Sequence, residues 1–148
     1  MRVVLQRSKY STVTIDGKIN GEIDKGLVIL VGFTNGDDEK IVDKMIDKII
    51  NLRIFEDENG LMNKSLIDEN GEILNISQFT LYANTKKGRR PSFTQALNPD
   101  EAKKLYEYMN EAISKKGIKT ATGIFGADMK VLIYNDGPVT IVIDSNEL

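Results

Sequence analysis

The chain has 148 residues, 41% of them hydrophobic and 28% charged, with a net charge of −2, the make-up of one globular domain around a single core. It contains no cysteine and no histidine, which excludes disulfides, thiolate nucleophiles, Cys-ligated zinc and any Ser-His-Asp or Cys-His relay. Catalysis would have to rest on carboxylate, lysine, tyrosine, backbone amides, a hard cation or the substrate's own groups. No apolar run approaches the ~20 residues of a membrane span. The opening "MRVVLQRSKY" lacks a signal-peptide pattern, so a cytoplasmic location is expected.

In chain order, "VVLQR", "TVTID", "KINGEI" and "LVILVGF" are rich in β-branched residues and read as strands. Asp16-Gly17 between two of them is a type I′ hairpin signal. The unbroken apolar run of "LVILVGF" suits a central strand buried on both faces. The period then changes. Ile41, Met45, Ile49 and Leu52 recur at helical spacing, widened by Val42, Ile46 and Ile50, with Asp37, Asp38 and Glu39 at the positive end of the dipole. "EDENG" is a turn and "GEILNISQFTLYA" a strand. A second helix opens at Asn98-Pro99 with Asp100 and Glu101 in its first turn. It buries Ala102, Leu105, Tyr106, Met109, Ala112 and Ile113, and closes at Gly117. "IKTATGIF", "KVLIYN" and "VTIVID" return to strand. The expected fold is a single α+β domain: a mostly antiparallel, barrel-like sheet with two helices packed on it.

Three stretches and one charge run invite chemistry. In "NISQFTLY" strand alternation puts Ile76, Gln78, Thr80 and Tyr82 on one face, and Ser77, Phe79 and Leu81 on the other, with Phe79 and Leu81 toward the core. Gln78 and Thr80 then form either a solvent-facing row or a pocket wall, and the pattern alone favours solvent. In "NDGPVTIVID", Gly137-Pro138 reads as a turn before an edge strand or, more rarely, as a cis bond. In "TGIFGADMKV", Phe125 and Met129 beside Gly123 and Gly126 are either core or a seat for a flat base. "KKGRR" places Lys86, Lys87, Arg89 and Arg90 together in an otherwise acidic chain, either as a solvated loop or as a local phosphate site.

Together "SQFTL", "GRRPSFT", "TGIFGADM" and "NDGPVT", in this order, resemble bacterial D-aminoacyl-tRNA deacylase. The resemblance runs from "MRVVLQR" to about Ser145 and departs at Ser8, Ser11 and Thr12, where the family pattern has Val, Ala and Ser. It implies hydrolysis of the ester joining a D-amino acid, or mischarged glycine, to the 3′ end of tRNA, with no cofactor and no metal. It also implies a homodimer in which the Gly137-Pro138 loop, with a cis bond, crosses into the partner's pocket. Ser77, Gln78, Phe79 and Thr80 would form the catalytic floor, and Phe125 and Met129 would line the site for the terminal adenine. Arg7 would sit near the Gly-Pro loop, and Lys86, Lys87, Arg89 and Arg90 would contact acceptor-stem phosphates. Thr80 has no histidine, carboxylate or lysine beside it in the sequence, so the substrate's 2′-hydroxyl is favoured over Thr80 as the activating group. The resemblance leaves three rivals: an editing domain that removes L-serine from tRNA, a non-enzymatic tRNA-binding dimer, and a metal-dependent hydrolase built on Asp128, Asp136 and Asp144.

Overall fold

The computed structural model describes residues 1–148. Strand β1 (Arg2–Ile15) is followed by β2 (Lys18–Ile23), β3 (Gly26–Gly32), helix α1 (Glu39–Asn51) and the short strands β4 (Phe55–Glu56) and β5 (Met62–Lys64). Then come β6 (Glu72–Ser77), a 3-10 turn (Phe79–Tyr82), helix α2 (Pro99–Lys115), β7 (Thr120–Thr122) and β8 (Lys130–Asp144). The two segments read as separate strands at the start of the chain are one strand, and so are the two at its end. β1 is the spine of the sheet. Its first half pairs with β3 and its second half with β2, while β8 runs antiparallel along its other edge.

The sheet is ordered β2-β1-β3-β6-β7, with antiparallel pairs around β1 and parallel pairs β3–β6 and β6–β7. The parallel pairs follow from the connections, since a helix-length crossover returns the chain in the same direction. The two ends of this order curl toward each other: the Asn20 side-chain amide donates to the Thr122 carbonyl at 2.8 Å. A Cβ on Gly21 would stand 3.1 Å from that same carbonyl. The result is a nearly closed barrel. β3 is buried on both faces, as its unbroken apolar run requires: Leu27 and Ile29 belong to the core under the helices, and Val28 to a smaller core inside the curl with Val13, Ile23, Leu74 and Ile76.

Local signals explain the hairpin and the helices. Asp16 and Gly17 take φ of 50° and 75°, the left-handed pair a type I′ turn demands. Asp38 caps α1 by accepting from Ile41 N–H at 2.9 Å, and Asn98 caps α2 by accepting from Asp100 N–H at 2.9 Å. α1 buries Val42, Met45, Ile46, Ile49 and Ile50, and α2 buries Ala102, Tyr106, Met109 and Ile113, all against the larger core. Ser8 and Ser11, two of the three departures within β1, are buried and satisfy each other through a 2.7 Å hydroxyl contact.

Candidate active site

The strand expected to run through "NISQFTLY" ends at Ser77, and Phe79 is 56% exposed instead of pointing to the core. The cause lies on β3. The Gln78 amide still donates to the Val31 carbonyl at 2.7 Å, but the chain then folds over Gly32 as the 3-10 turn. A Cβ on Gly32 would stand 2.8 Å from the Gln78 carbonyl and 3.3 Å from the Tyr82 ring, so only glycine admits this crossing. Arg2 holds the far end of the turn, donating to the Leu81 carbonyl at 2.8 Å with its guanidinium 4.9 Å over the Tyr82 ring.

A cleft of about 630 Å³ opens where β6 ends, inside the range of roughly 300–1,000 Å³ usual for small-ligand sites. Ser77, Gln78 and Phe79 form its floor, and Phe125, Ala127 and Met129 face them. Phe93 and the start of α2 at Asn98-Pro99 close it. Thr80 does not line the cleft directly. Its hydroxyl receives the Gln78 side-chain amide at 2.5 Å, with no carboxylate or lysine in contact. The amides of Phe79 and Thr80, first in the turn, donate to no other group of the chain, as expected of a helix start. Behind the floor, the Tyr106 hydroxyl donates to the Asn75 carbonyl at 2.6 Å, and burial raises its phenol above the ordinary value.

Phe93 stands edge-on to Phe79 with ring centroids 5.0 Å apart. Sequence reasoning placed Phe93 inside "GRRPSFT" without assigning it a role, because nothing local ties it to Phe79. It directly follows the closing pair of the basic loop. Asn84 and Ser92 exchange main-chain hydrogen bonds of 2.7 and 3.0 Å, closing the loop that carries Lys86, Lys87, Arg89 and Arg90. All of these cations are exposed and none forms an ion pair. The charge of the loop is unspent, and Phe93, next to its closing pair, lines the cleft.

Gly137-Pro138 lies elsewhere. Gln6 pairs with Thr140 and Ser8 with Asn135, so residues 136–139 bulge out of β8 opposite Arg7. The sequence allowed a turn before a separate edge strand; the structure has a bulge within one continuous strand, and the Gly137-Pro138 bond is cis. Asn135 ties the base, accepting from Val139 N–H and donating to the Thr140 hydroxyl, each at 3.0 Å. Arg7 is 5% exposed and lies beneath the bulge. Its Nε donates to the Asp136 carbonyl at 3.0 Å and its Nη1 to the Ile54 carbonyl at 2.9 Å, with Glu56 3.6 Å from Nη2. Within one chain neither Gly137 nor Pro138 lines the cleft.

The carboxylates weighed as metal ligands are separately engaged: Asp128 with Lys130, Asp136 with Lys9 and Arg7, and Asp144 with Arg2. Arg2 and the Asn146 amide hold the Asp144 carboxyl below its ordinary value against the opposing effect of burial, which is the largest single influence on it.

The family model described as D-Tyr-tRNA(Tyr) deacylase matches residues 4–144. A D-aminoacyl-tRNA deacylase from a Geobacillus strain is 54% identical over 147 residues, covering 99% of this chain and 97% of the relative. One from Bacillus cytotoxicus is 55% identical over 145 residues, covering 98% and 99% of the two chains. Among solved structures, the c-Myc DNA Unwinding Element Binding Protein superposes with a TM-score of 0.91 at 39% identity, covering 97% of this chain and 98% of that one. A probable eukaryotic D-amino acid tRNA deacylase shares the fold, with a TM-score of 0.83 at 17% identity over 96% of this chain and 97% of that one. The chain belongs to the D-Tyr-tRNA(Tyr) deacylase family.

Proposed function

We propose that this protein hydrolyses the ester linking a D-amino acid, or mischarged glycine, to the 3′ end of tRNA, acting in the cytoplasm as a homodimer and without a metal or cofactor. The observation that carries the reading is the split site. An open cleft holds an unpaired amide at its floor, and a rigidly held Gly137-Pro138 bulge stands outside it on a strand whose second edge is unpaired.

That edge supports the dimer. β8 is 15 residues long and exposes Leu132, Tyr134 and Val142 at 58%, 60% and 62%. A long strand edge with exposed apolar side chains pairs with something in a stable protein. In the proposed dimer a second copy docks there and places its Gly137-Pro138 bulge over this chain's cleft.

In the mechanism, the terminal adenine lies against Phe125 and Met129, and the ester carbonyl meets the Phe79 amide. As water attacks, negative charge grows on that oxygen, and a fixed donor there stabilises the transition state more than the ground state. Gln78 and Ser77 add polar contacts, while the ribose 2′-hydroxyl assists the water. Thr80 orients Gln78 and forms no covalent intermediate. Carbonyls of the partner's bulge hold the substrate ammonium. An L side chain then points into that backbone, whereas a D side chain or the glycine hydrogen points away. The Lys86–Arg90 loop contacts acceptor-stem phosphates.

The test is hydrolysis of D-tyrosyl-, L-tyrosyl-, glycyl- and L-seryl-tRNA side by side, with and without EDTA. Loss of the D- and glycyl-esters alone, unchanged by EDTA, is expected. Cleavage of L-seryl-tRNA would assign the L-serine editing reading, and sensitivity to EDTA a metal-dependent hydrolase. RNA binding with no turnover would favour a binding protein, a reading supported by the unpaired basic loop. Light scattering should give a dimer, and Val142→Lys should yield an inactive monomer.

A further inference from the structure

Tyr106 is 3% exposed, and its hydroxyl meets the Asn75 carbonyl at 2.6 Å. That carbonyl stands at a fork. β6 and β7 run in parallel register as far as Asn75 and Thr122, the last pair of their ladder. The next amide, that of Gly123, reaches the same carbonyl at only 3.4 Å. Beyond this point β6 continues to Ser77, while the other arm leaves through Gly123 toward Phe125 and Met129. The cleft opens in the angle between them.

The fork is tight at its root. A Cβ on Gly123 would collide with the Met129 sulfur and lie 3.4 Å from Ile76 Cδ1. Helix α2 grips it at two levels. The Tyr106 hydroxyl takes the Asn75 carbonyl, and one turn later Asn110 Oδ1 accepts from the Asn75 side-chain amide at 2.8 Å. The Tyr106 ring also rests on Phe125, with centroids 6.0 Å apart. At 3.4 Å the Gly123 contact is long for an N–H···O bond, whereas the phenol contact is short and strong. The hydroxyl is therefore the firmer of the two bonds at this carbonyl.

We infer that Tyr106 is a positioning residue whose hydroxyl, bound where β6 and β7 part, sets the angle of the fork. It thereby sets the separation between the cleft floor at Ser77–Phe79 and the wall at Phe125–Met129. The consequence for substrate rests on the proposed seat of the terminal adenosine in that cleft. Anchoring of α2 does not need the hydroxyl, because Ala102, Met109 and Ile113 hold the helix in the core.

Tyr106→Phe keeps the ring and removes only the bond. Tyr108→Phe is the control, since its hydroxyl lies on the same helix but meets Asp43 of α1 at 3.0 Å, outside the cleft. Amide hydrogen exchange across residues 123–129 is expected to quicken in Tyr106→Phe by roughly five- to tenfold, the effect of losing one hydrogen bond, and not in Tyr108→Phe. KM for D-tyrosyl-tRNA should rise by about the same factor with kcat within about twofold. Unchanged exchange in Tyr106→Phe, or equal changes in both variants, would overturn the inference. Faster exchange with unchanged KM would keep the fork and refute the adenosine seat.

Discussion

Gly137→Ala tests the bulge at the point where the backbone leaves least room. Gly137 has a φ of 129°, a conformation that L side chains rarely adopt. The added methyl would stand 2.9 Å from Val139 Cγ2, 3.1 Å from Arg7 Nη2 and 3.2 Å from Val139 N. A turn of the Val139 side chain relieves only the first contact. The others involve main chain and a guanidinium already fixed by the Asp136 and Ile54 carbonyls. Relief must therefore shift residues 136–139 away from Arg7. A residue held in such a region costs roughly 1–3 kcal/mol. If that shift removes contacts made in the transition state, the cost corresponds to roughly a 5- to 150-fold loss in kcat/KM for D-tyrosyl-tRNA. Thr80→Ala removes one hydrogen bond to Gln78 and should cost less, about fivefold or below. Single-turnover hydrolysis of D-tyrosyl-tRNA by both variants, with Tm measured alongside, decides the matter. Wild-type rates in Gly137→Ala, or a larger loss in Thr80→Ala, would refute the assignment of selectivity to the bulge.

Arg7→Lys should lower stability by about 2–4 kcal/mol, because one ammonium cannot reach both carbonyls beneath the bulge and leaves buried acceptors unpaired; urea unfolding measures it. Replacing Lys86, Lys87, Arg89 and Arg90 with glutamine should raise KM for aminoacyl-tRNA and flatten its salt dependence, with kcat within about twofold. An unchanged salt slope would remove the loop from the tRNA interface. Tyr82 is 6% exposed, and its hydroxyl has no partner in the chain, so Tyr82→Phe should leave Tm at neutral pH equal or higher. Burial pushes the Tyr82 phenol up to about 12, with Asp37 and Asp144 adding to the effect. The unfolded chain then loses its proton first, near pH 10. Stability is thus intact below about pH 10 and falls until about pH 12. Tyr82→Phe should flatten that alkaline decline, seen as Tm against pH.

Much of the fold is legible residue by residue because its signals are local. The Asp16-Gly17 turn, the Asp38 and Asn98 caps, the left-handed close of α2 at Gly117 and the apolar stripes of both helices each depend on neighbours a few positions away. The absence of histidine and cysteine likewise bounds the chemistry, and the ordered motifs point to the family. The site's shape is not local. β6 stops at Ser77 because Gly32, on another strand, leaves room for the chain to turn, and that turn exposes Phe79 where alternation would have buried it. The bulge at Gly137 exists opposite Arg7 of β1, and Phe93 reaches Phe79 only through the closed basic loop. Each of these contacts joins segments distant in sequence, and strand periodicity carries no information about which segment will lie alongside. Ser77, Gln78, Phe79, Phe125 and Met129 were implied by the family resemblance, but the part of Phe93, the place of Thr80 off the cleft, the opposition of the walls and the exclusion of Gly137-Pro138 were decided by packing.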